Sequence, residues 1–320
     1  MFDENFRNEP VEIRGETVAL GENKLIKVEV DRLPTGTSIE IPVYVFNGKN
    51  PGPTILIQAG LHGDEVNGVE LVRKMLARDL FKVKRGCIIV VPLLNVFGFL
   101  NLSRDLHGKD LNRSFPGSKS GSLASRIAYF HMKEIAQNID FGIDIHTGGA
   151  QRNNYPQIRF TPGSEASKKL AGIFNAPFQF ESSLIAKSFR KEAHKHGVPI
   201  LVYEGGESLR LDKLALKKGT EGILNILEHF DMIAKRKEKA KLTKTIELTT
   251  KKWIRAKIAG LFNSRIKNGD LVKKGQILGY ITDTYGETVT SVRAPFEGYI
   301  FAVNNFPIIN RGDALFHIGK

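Results

Sequence analysis

Between Thr54 and about Ala234, apolar runs of strand length alternate with amphipathic stretches of helical period. Three of these runs, 54–59, 141–145 and 200–204, are rich in β-branched residues and contain few charges. Strands of this kind are buried on both faces of a sheet, so the sheet must be covered on both sides. The pattern therefore restricts this part of the chain to an α/β fold, a sheet flanked by helices.

The regions on either side of this core follow different patterns. Residues 1–50 alternate weakly between polar and apolar side chains, which predicts antiparallel strands that lead into the sheet. From 246 to 320 the helical period is absent, and short apolar strands alternate with Gly and Pro turns, which predicts an all-β fold. A charged linker over 235–245 separates the two patterns. We therefore predict two domains, residues 1–240 and residues 246–320.

The chain is strongly basic. Lysine and arginine together number 47, against 34 aspartates and glutamates, which gives a net charge of +13. Part of this excess lies in one cluster, 235–241, near the predicted domain junction. The sequence has neither zinc-finger spacing nor an aromatic RNA-binding motif, so we expect no nucleic-acid partner. Attraction of small anionic substrates explains the charge more simply.

Cysteine usage and hydropathy bear on the compartment. The single cysteine, Cys87, lies in a strand-like run as a small core residue and excludes an intrachain disulfide. The first residues lack the order of a signal peptide, and no run approaches the roughly 18 apolar residues that a membrane span needs. We therefore expect a cytoplasmic protein without a membrane partner.

A pair of metal-binding side chains follows the first buried strand. His62 and Glu65 lie three residues apart in the turn between the strand at 54–59 and a helix predicted near 65–79. This spacing lets both side chains point the same way. An imidazole and a carboxylate at the carboxyl end of a strand make two-thirds of a catalytic zinc site.

The third ligand has to come from another of the eight histidines. His146 ends the strand at 141–145, and strand alternation puts it on the same face as Asp144. The carboxyl ends of parallel strands meet at one edge of a sheet, so His146 is our candidate. The other six are expected to be surface or capping groups: His107, His131, His194, His196, His229 and His317.

Hydrolysis also requires a carboxylate that takes a proton from water and passes it to a leaving amine. Glu204 ends a third strand before two glycines and is expected to reach the same crevice, with nearby Glu207 as its rival. The long polar loop at 98–121 supplies cations for a substrate carboxylate or a developing oxyanion. These cations are Arg104, Lys109 and Arg113.

Four motifs, in this order along the chain, resemble those of a known family. They are residues 62–65 (HGDE), 110–117 (DLNRSFPG), 144–147 (DIHT) and Glu204 before two glycines. Together they resemble the succinylglutamate desuccinylase/aspartoacylase family, which belongs to the zinc-carboxypeptidase-like superfamily. The resemblance implies a mixed sheet flanked by helices. It also implies one Zn²⁺ per chain, bound by His62, Glu65 and His146.

The resemblance implies roles for further residues of these motifs. Glu204 becomes the general base and acid, and Asn112 and Arg113 anchor the free carboxylate of the substrate. Arg104, upstream of the DLNR sequence, polarises the scissile carbonyl, and Asp144 orients a ligand or bonds to the backbone. The implied reaction is hydrolysis of the amide bond of a small N-acyl amino acid, with residues 1–240 as the catalytic domain.

Two other functions remain open from the residues. A zinc carboxypeptidase that acts on peptides would share the same metal site, so the depth of the pocket decides between the two enzymes. A non-catalytic binding protein would lack a ligand or Glu204, and none of these residues is missing.

The C-terminal region resembles a lipoyl/biotinyl-type β-sandwich at residues 268–278 and 294–300. Those carriers present a modifiable lysine on a hairpin ahead of the Ala-Pro step, whereas residues 285–288 (YGET) contain no lysine. We therefore expect no carrier role. This barrel-sandwich-like domain is predicted to shape the rim of the active site or to form a contact in a homo-oligomer.

Overall fold

The computed structural model describes residue 6 and residues 9–237 and 244–320. The strands of these residues, numbered in chain order, are β1 Val11–Ile13, β2 Glu16–Val18, β3 Asn23–Arg32, β4 Ser38–Asn47, β5 Asn50–Ala59, β6 Arg85–Val91, β7 Phe141–Gly148, β8 Arg152–Phe160, β9 Phe178–Glu181, β10 Ile200–Glu207, β11 Ile246–Glu247, β12 Lys251–Arg255, β13 Gly260–Ser264, β14 Leu271–Val272, β15 Ile277–Thr282, β16 Val289–Arg293, β17 Gly298–Asn304, β18 Ile308–Ile309 and β19 Ala314–Gly319. The α-helices are α1 Val66–Ala77, α2 Val96–Leu100, α3 Leu123–Phe130, α4 Glu165–Phe174, α5 Phe189–Lys195 and α6 Lys213–His229. Shorter turns are 3₁₀-helical at Leu111–Arg113 and Ala136–Asn138 and π-helical at His131–Ile135. The predicted linker at 235–245, its basic cluster and the N-terminal residues 1–5 lie partly or wholly outside the described residues.

One large mixed sheet organises the described chain. Its strands follow the order β12-β19-β17-β8-β10-β7-β5-β6-β4-β3. The central pairs β10-β7, β7-β5 and β5-β6 are parallel, and the pairs on either side of them are antiparallel. Every residue of β7 is buried, as expected for a strand that is covered on both faces. The predicted mixed α/β sheet is confirmed.

Helices cover both faces of this sheet. On one face, Ile55 and Ile57 of β5 belong to a core that includes Leu71 of α1 and residues of α4 and α6. On the other face, Leu56 belongs to a core with residues of α3 and α5. Cys87 of β6 lies in this second core, and burial raises the pKa of its thiol to about 12, as befits a small core residue.

The described C-terminal region is all-β, as predicted. Strands β17, β19 and β12 extend the large sheet, because β17 pairs in antiparallel fashion with β8. A separate antiparallel sheet has the order β16-β15-β13-β18. The division into domains at 240–246 stays a prediction. None of the described helices has the length and apolar character that a bilayer crossing requires.

Candidate metal centre and active site

The turn after β5 and the end of β7 bring His62, Glu65 and His146 together. Their ligand atoms lie within 4.8 Å of one another, and all three side chains are buried. Glu65 Oε1 lies 2.8 Å from His62 Nδ1, and Glu65 Oε2 lies 2.8 Å from His146 Nδ1. The two Nδ1 atoms are 3.2 Å apart. Two imidazole nitrogens that face one carboxylate form a donor set that fits a divalent metal ion.

The backbone explains why these side chains meet. In the parallel pair of β5 and β7, Ala59 lies opposite Ile145, so the turn after β5 and the last residues of β7 lie at the same edge of the sheet. A Cβ atom on Gly63 would lie 2.0 Å from the backbone of Gly98, so only glycine lets this turn pack against α2. The N–H of Thr147 donates to Glu65 Oε2 at 3.1 Å and fixes the carboxylate.

These three groups control one another's charge. Burial disfavours the carboxylate form of Glu65, but His62 and His146 outweigh it and hold the pKa of Glu65 well below its usual range. Burial also disfavours protonated imidazoles, yet Glu65 raises the pKa of His62, and Asp144 together with Glu65 raises that of His146. The cluster therefore attracts positive charge, which a divalent ion would supply.

Glu204 lies beside this cluster on the next strand. It is in register with His146 across the parallel pair of β10 and β7, so both side chains project from the same face and edge. Its Oε2 accepts a hydrogen bond of 2.6 Å from Asn154 Nδ2, and its Oε1 lies 2.9 Å from a guanidinium nitrogen of Arg159. The rival Glu207 instead accepts a hydrogen bond from Asn305 Nδ2 at 2.5 Å.

The long loop brings Arg104 and Asn112 to the same place. One guanidinium nitrogen of Arg104 lies 3.2 Å from Glu65 Oε1, and the other lies 3.3 Å from Asp110 Oδ2. Asn112 Oδ1 accepts a hydrogen bond from the N–H of Phe189 at 2.9 Å, which leaves the amide nitrogen of Asn112 as a donor. The loop therefore presents hydrogen-bond donors next to the histidines.

The clustered ligands, Glu204 and the loop residues Arg104 and Asn112 surround one cavity of about 500 Å³. The structure brings seven predicted site residues to its wall: His62, Glu65, Arg104, Asn112, Arg113, His146 and Glu204. Lys109, the third cation of the loop, lies outside the set of described residues that line this cavity.

Sequence reasoning missed several residues of the cavity wall, among them Arg152, Asn154 and Arg159 of β8, Arg190 of α5 and Trp253 of β12. Arg190 is only 7% exposed, and one of its guanidinium nitrogens donates to the carbonyl oxygens of Ser182 and Ser183. The other nitrogen, Nη1, is buried and has no hydrogen-bond partner among the described residues. Burial lowers the pKa of Arg190 to about 10, so it stays charged at neutral pH.

Trp253 extends this wall into the C-terminal region. Its indole stacks on the His317 ring, with centroids 4.1 Å apart and an interplanar angle of 13°, and Phe301 packs nearby at 4.2 Å from His317. Burial, followed by repulsion from Arg159 and Lys251, lowers the pKa of His317 to about 3, so the stack is uncharged at neutral pH. A strand of the C-terminal region thus contributes to the cavity.

Comparisons with known proteins identify the family. A model of the succinylglutamate desuccinylase/aspartoacylase catalytic domain matches residues 51–230. An N-α-acetyl-L-2,4-diaminobutyric acid deacetylase from Halomonas elongata is 26% identical over 295 residues, which cover 87% of this chain and 85% of that protein.

Solved structures of similar proteins have the same fold. An aspartoacylase family protein from Mesorhizobium loti superposes with a TM-score of 0.82 at 22% identity, and the match covers 98% of both chains. The product-bound ectoine utilization protein EutE (DoeB) from Ruegeria pomeroyi has a TM-score of 0.81 at 24% identity and 99% coverage of both chains. Because the catalytic-domain model spans more than half of the residues, this chain belongs to the succinylglutamate desuccinylase/aspartoacylase family.

Proposed function

We propose that this protein is a zinc-dependent hydrolase that cleaves the amide bond of a small N-acyl amino acid. The observation that carries the proposal is the cluster of two histidines and one glutamate in one cavity with Glu204 on the adjacent strand. Two imidazoles and a carboxylate are the ligands of many catalytic zinc sites, which keep one position open. The family, and a curated relative that is a deacetylase, support the same class of reaction.

In this proposal His62, Glu65 and His146 bind one Zn²⁺. When bound there, Zn²⁺ supplies Lewis acidity and lowers the pKa of water toward neutrality. Glu204 takes a proton from the attacking water and delivers it to the leaving amine. Its contacts with Asn154 hold the carboxylate in place for both transfers.

The loop residues bind and orient the substrate. Arg104 donates to the carbonyl oxygen as that oxygen gains negative charge. Asn112 and Arg113 bind the free carboxylate of the amino acid.

We also propose that residues 1–240 are the catalytic domain and that residues 246–320 form a second domain. Because Trp253 of this second domain lines the cavity, we infer that it narrows the entrance in favour of small substrates over peptides.

The proposal is tested on a panel of N-acetyl and N-succinyl amino acids. We expect release of free amine that stops when a chelator removes the metal and returns when Zn²⁺ is added, because the proposed reaction requires the bound metal ion. Parallel additions of Co²⁺ and Mn²⁺ compare metals that the same ligands accept. Failure of the metal-loaded protein on the whole panel, together with release of C-terminal residues from peptides, would support a carboxypeptidase instead.

The charges of the cavity bear on the choice of substrate. Five arginines line it: Arg104, Arg113, Arg152, Arg159 and Arg190. The carboxylates among the described lining residues are Glu65, Asp110, Asp144 and Glu204, and each already contacts a histidine, an arginine or an amide. The relative from Halomonas elongata is named for a substrate that retains a side-chain amine. In this chain none of the described cavity carboxylates is left to pair with such an amine.

We therefore expect a preference for an anionic side chain. N-acetyl-L-glutamate should have a kcat/KM about 10- to 100-fold higher than N-acetyl-L-2,4-diaminobutyrate, because a charge-assisted hydrogen bond contributes about 1.5–3 kcal/mol. N-acetyl-L-glutamine, which has the shape of glutamate without its charge, is the control and should fall between them. Steady-state kinetics on the three compounds measure the order, and a preference for the diaminobutyrate would contradict it.

A further inference from the structure

A chain of buried polar side chains extends from His146 through Asp144 to two residues behind the cavity wall. His146 Nε2 lies 2.8 Å from Asp144 Oδ2, and Gln58 Nε2 lies 2.9 Å from Asp144 Oδ1. Gln58 Oε1 in turn lies 2.5 Å from Nε2 of His131, the first residue of the π-helical turn. All four residues are at most 4% exposed. The prediction that His131 is a surface or capping group is therefore wrong, because this histidine bonds to a residue of the central strand β5.

The chemistry of these groups fixes the direction of each hydrogen bond. The carboxylate of Asp144 can only accept, so His146 Nε2 and the amide nitrogen of Gln58 both donate to it. The carbonyl oxygen of Gln58 then needs a donor, and His131 Nε2 supplies it. His131 is neutral with its proton on Nε2, since burial lowers its pKa to about 4. Its Nδ1 is buried and without a hydrogen-bond partner in the described part of the chain.

Aromatic rings hold the imidazole of His131 in this orientation. Phe189 lies edge-on at 4.6 Å between ring centroids, and Phe115 lies edge-on at 5.8 Å. Phe115 belongs to the same loop as Asn112 and Arg113. Rotation of the His131 ring would have to displace both phenyl rings, so the N–H stays directed at Gln58.

We propose that His131 is a positioning residue for the metal centre, which acts by fixing the amide orientation of Gln58. With the amide fixed, Asp144 holds the proton of His146 on Nε2, so that the lone pair of Nδ1 would be available to a bound metal ion. If the amide turned over, its oxygen would face the carboxylate of Asp144, and their repulsion would loosen His146. This inference rests on the proposed function, because it takes His146 to be a metal ligand.

Two amide substitutions of His131 separate positioning from packing. A glutamine side chain can place an N–H where His131 Nε2 lies, whereas an asparagine side chain reaches only the position of Nδ1. We expect His131→Gln to bind Zn²⁺ nearly as the unaltered protein does. His131→Asn should bind about tenfold more weakly, as is usual when the hydrogen-bond support of a ligand is lost. Competition with a chelator measures the affinity, and the visible absorption of the Co²⁺-loaded protein should change only in His131→Asn.

Ser167→Ala is the matched control for a lost buried hydrogen bond. Ser167 of α4 is fully buried and its Oγ accepts from the N–H of Thr161 at 3.2 Å, outside the cavity wall. This variant should lose stability without change in Zn²⁺ affinity or Co²⁺ absorption. Equal behaviour of the two His131 variants, folded or unfolded, would overturn the inference. Absence of Zn²⁺ binding by the unaltered protein would instead overturn the proposed function. Neither the Zn²⁺ affinity nor the Co²⁺ absorption depends on turnover, so the two failures can be told apart.

Discussion

Replacement of Glu204 by glutamine is expected to lower kcat by about 10²–10⁴-fold, which is the usual contribution of a general acid or base. The amide has nearly the volume of the carboxylate but cannot take a proton from water. Because Glu204 is not one of the three clustered ligands, the metal content of Glu204→Gln should be unchanged. Initial rates over a range of substrate concentrations, with the metal measured on the same samples, test this result.

Glu207→Gln is the matched control for this substitution. Glu207 is a buried glutamate of the same strand, but its carboxylate accepts a hydrogen bond from Asn305 and lies 3.4 Å from Arg210 Nε instead of lining the cavity. We expect its kcat to stay close to that of the unaltered protein. Equal losses in the two variants would point to disturbance of β10, and unchanged turnover in Glu204→Gln would remove Glu204 from the mechanism.

The sequence predicts those parts of the site that depend on local pattern. His62 and Glu65 follow a strand and precede a helix, and His146 and Glu204 lie near the carboxyl ends of strands whose apolar character requires burial. Parallel strands with helices between them place their carboxyl ends at one edge, so these side chains could be expected to meet. The structure brings them together in the predicted way.

Strand β8 was not predicted, and three residues of the cavity wall, Arg152, Asn154 and Arg159, were missed with it. Gln157 lies opposite Glu204, and Arg159 lies opposite Val202, so polar side chains occupy the face that a buried strand usually fills with apolar ones. Pro156 further interrupts the strand pattern. This polar strand is held by backbone pairing with β10, β9 and β17, and its own residues do not show that pairing.

The burial of His131 depends on contacts that are distant in sequence. Its partner Gln58 is 73 residues away, and the two meet only when the π-helical turn packs against the sheet. The pairing of β17 with β8, which joins the C-terminal strands to the large sheet, is likewise a contact between residues distant in sequence. Local periodicity predicts helices, strands and their buried faces, but it does not predict the register between strands so far apart.

Arg104→Met is expected to lower kcat by about 10²–10³-fold, the cost of removing one donor from a developing oxyanion. The guanidinium lies 3.2 Å from Glu65, so it is next to the proposed metal ligands, where we propose that the scissile carbonyl binds. The interaction strengthens as the carbonyl oxygen becomes negative, so its loss acts on the transition state more than on substrate binding. Steady-state kinetics should therefore show a fall in kcat with a smaller change in KM. Arg104→Lys keeps the charge without the planar fork, so its kcat should lie between those of Arg104→Met and the unaltered protein.

Arg113→Met is the matched control, because it removes a second arginine of the same loop. Arg113 is exposed at the cavity and is proposed to bind the substrate carboxylate, which carries the same charge before and during the reaction. Its loss should therefore raise KM with little change in kcat. Because Arg104 also contacts Glu65 and Asp110, the metal content of Arg104→Met has to match that of the unaltered protein. If both substitutions raised only KM at full metal content, Arg104 would be a binding residue, and the negative charge of the transition state would have to be stabilised by other groups.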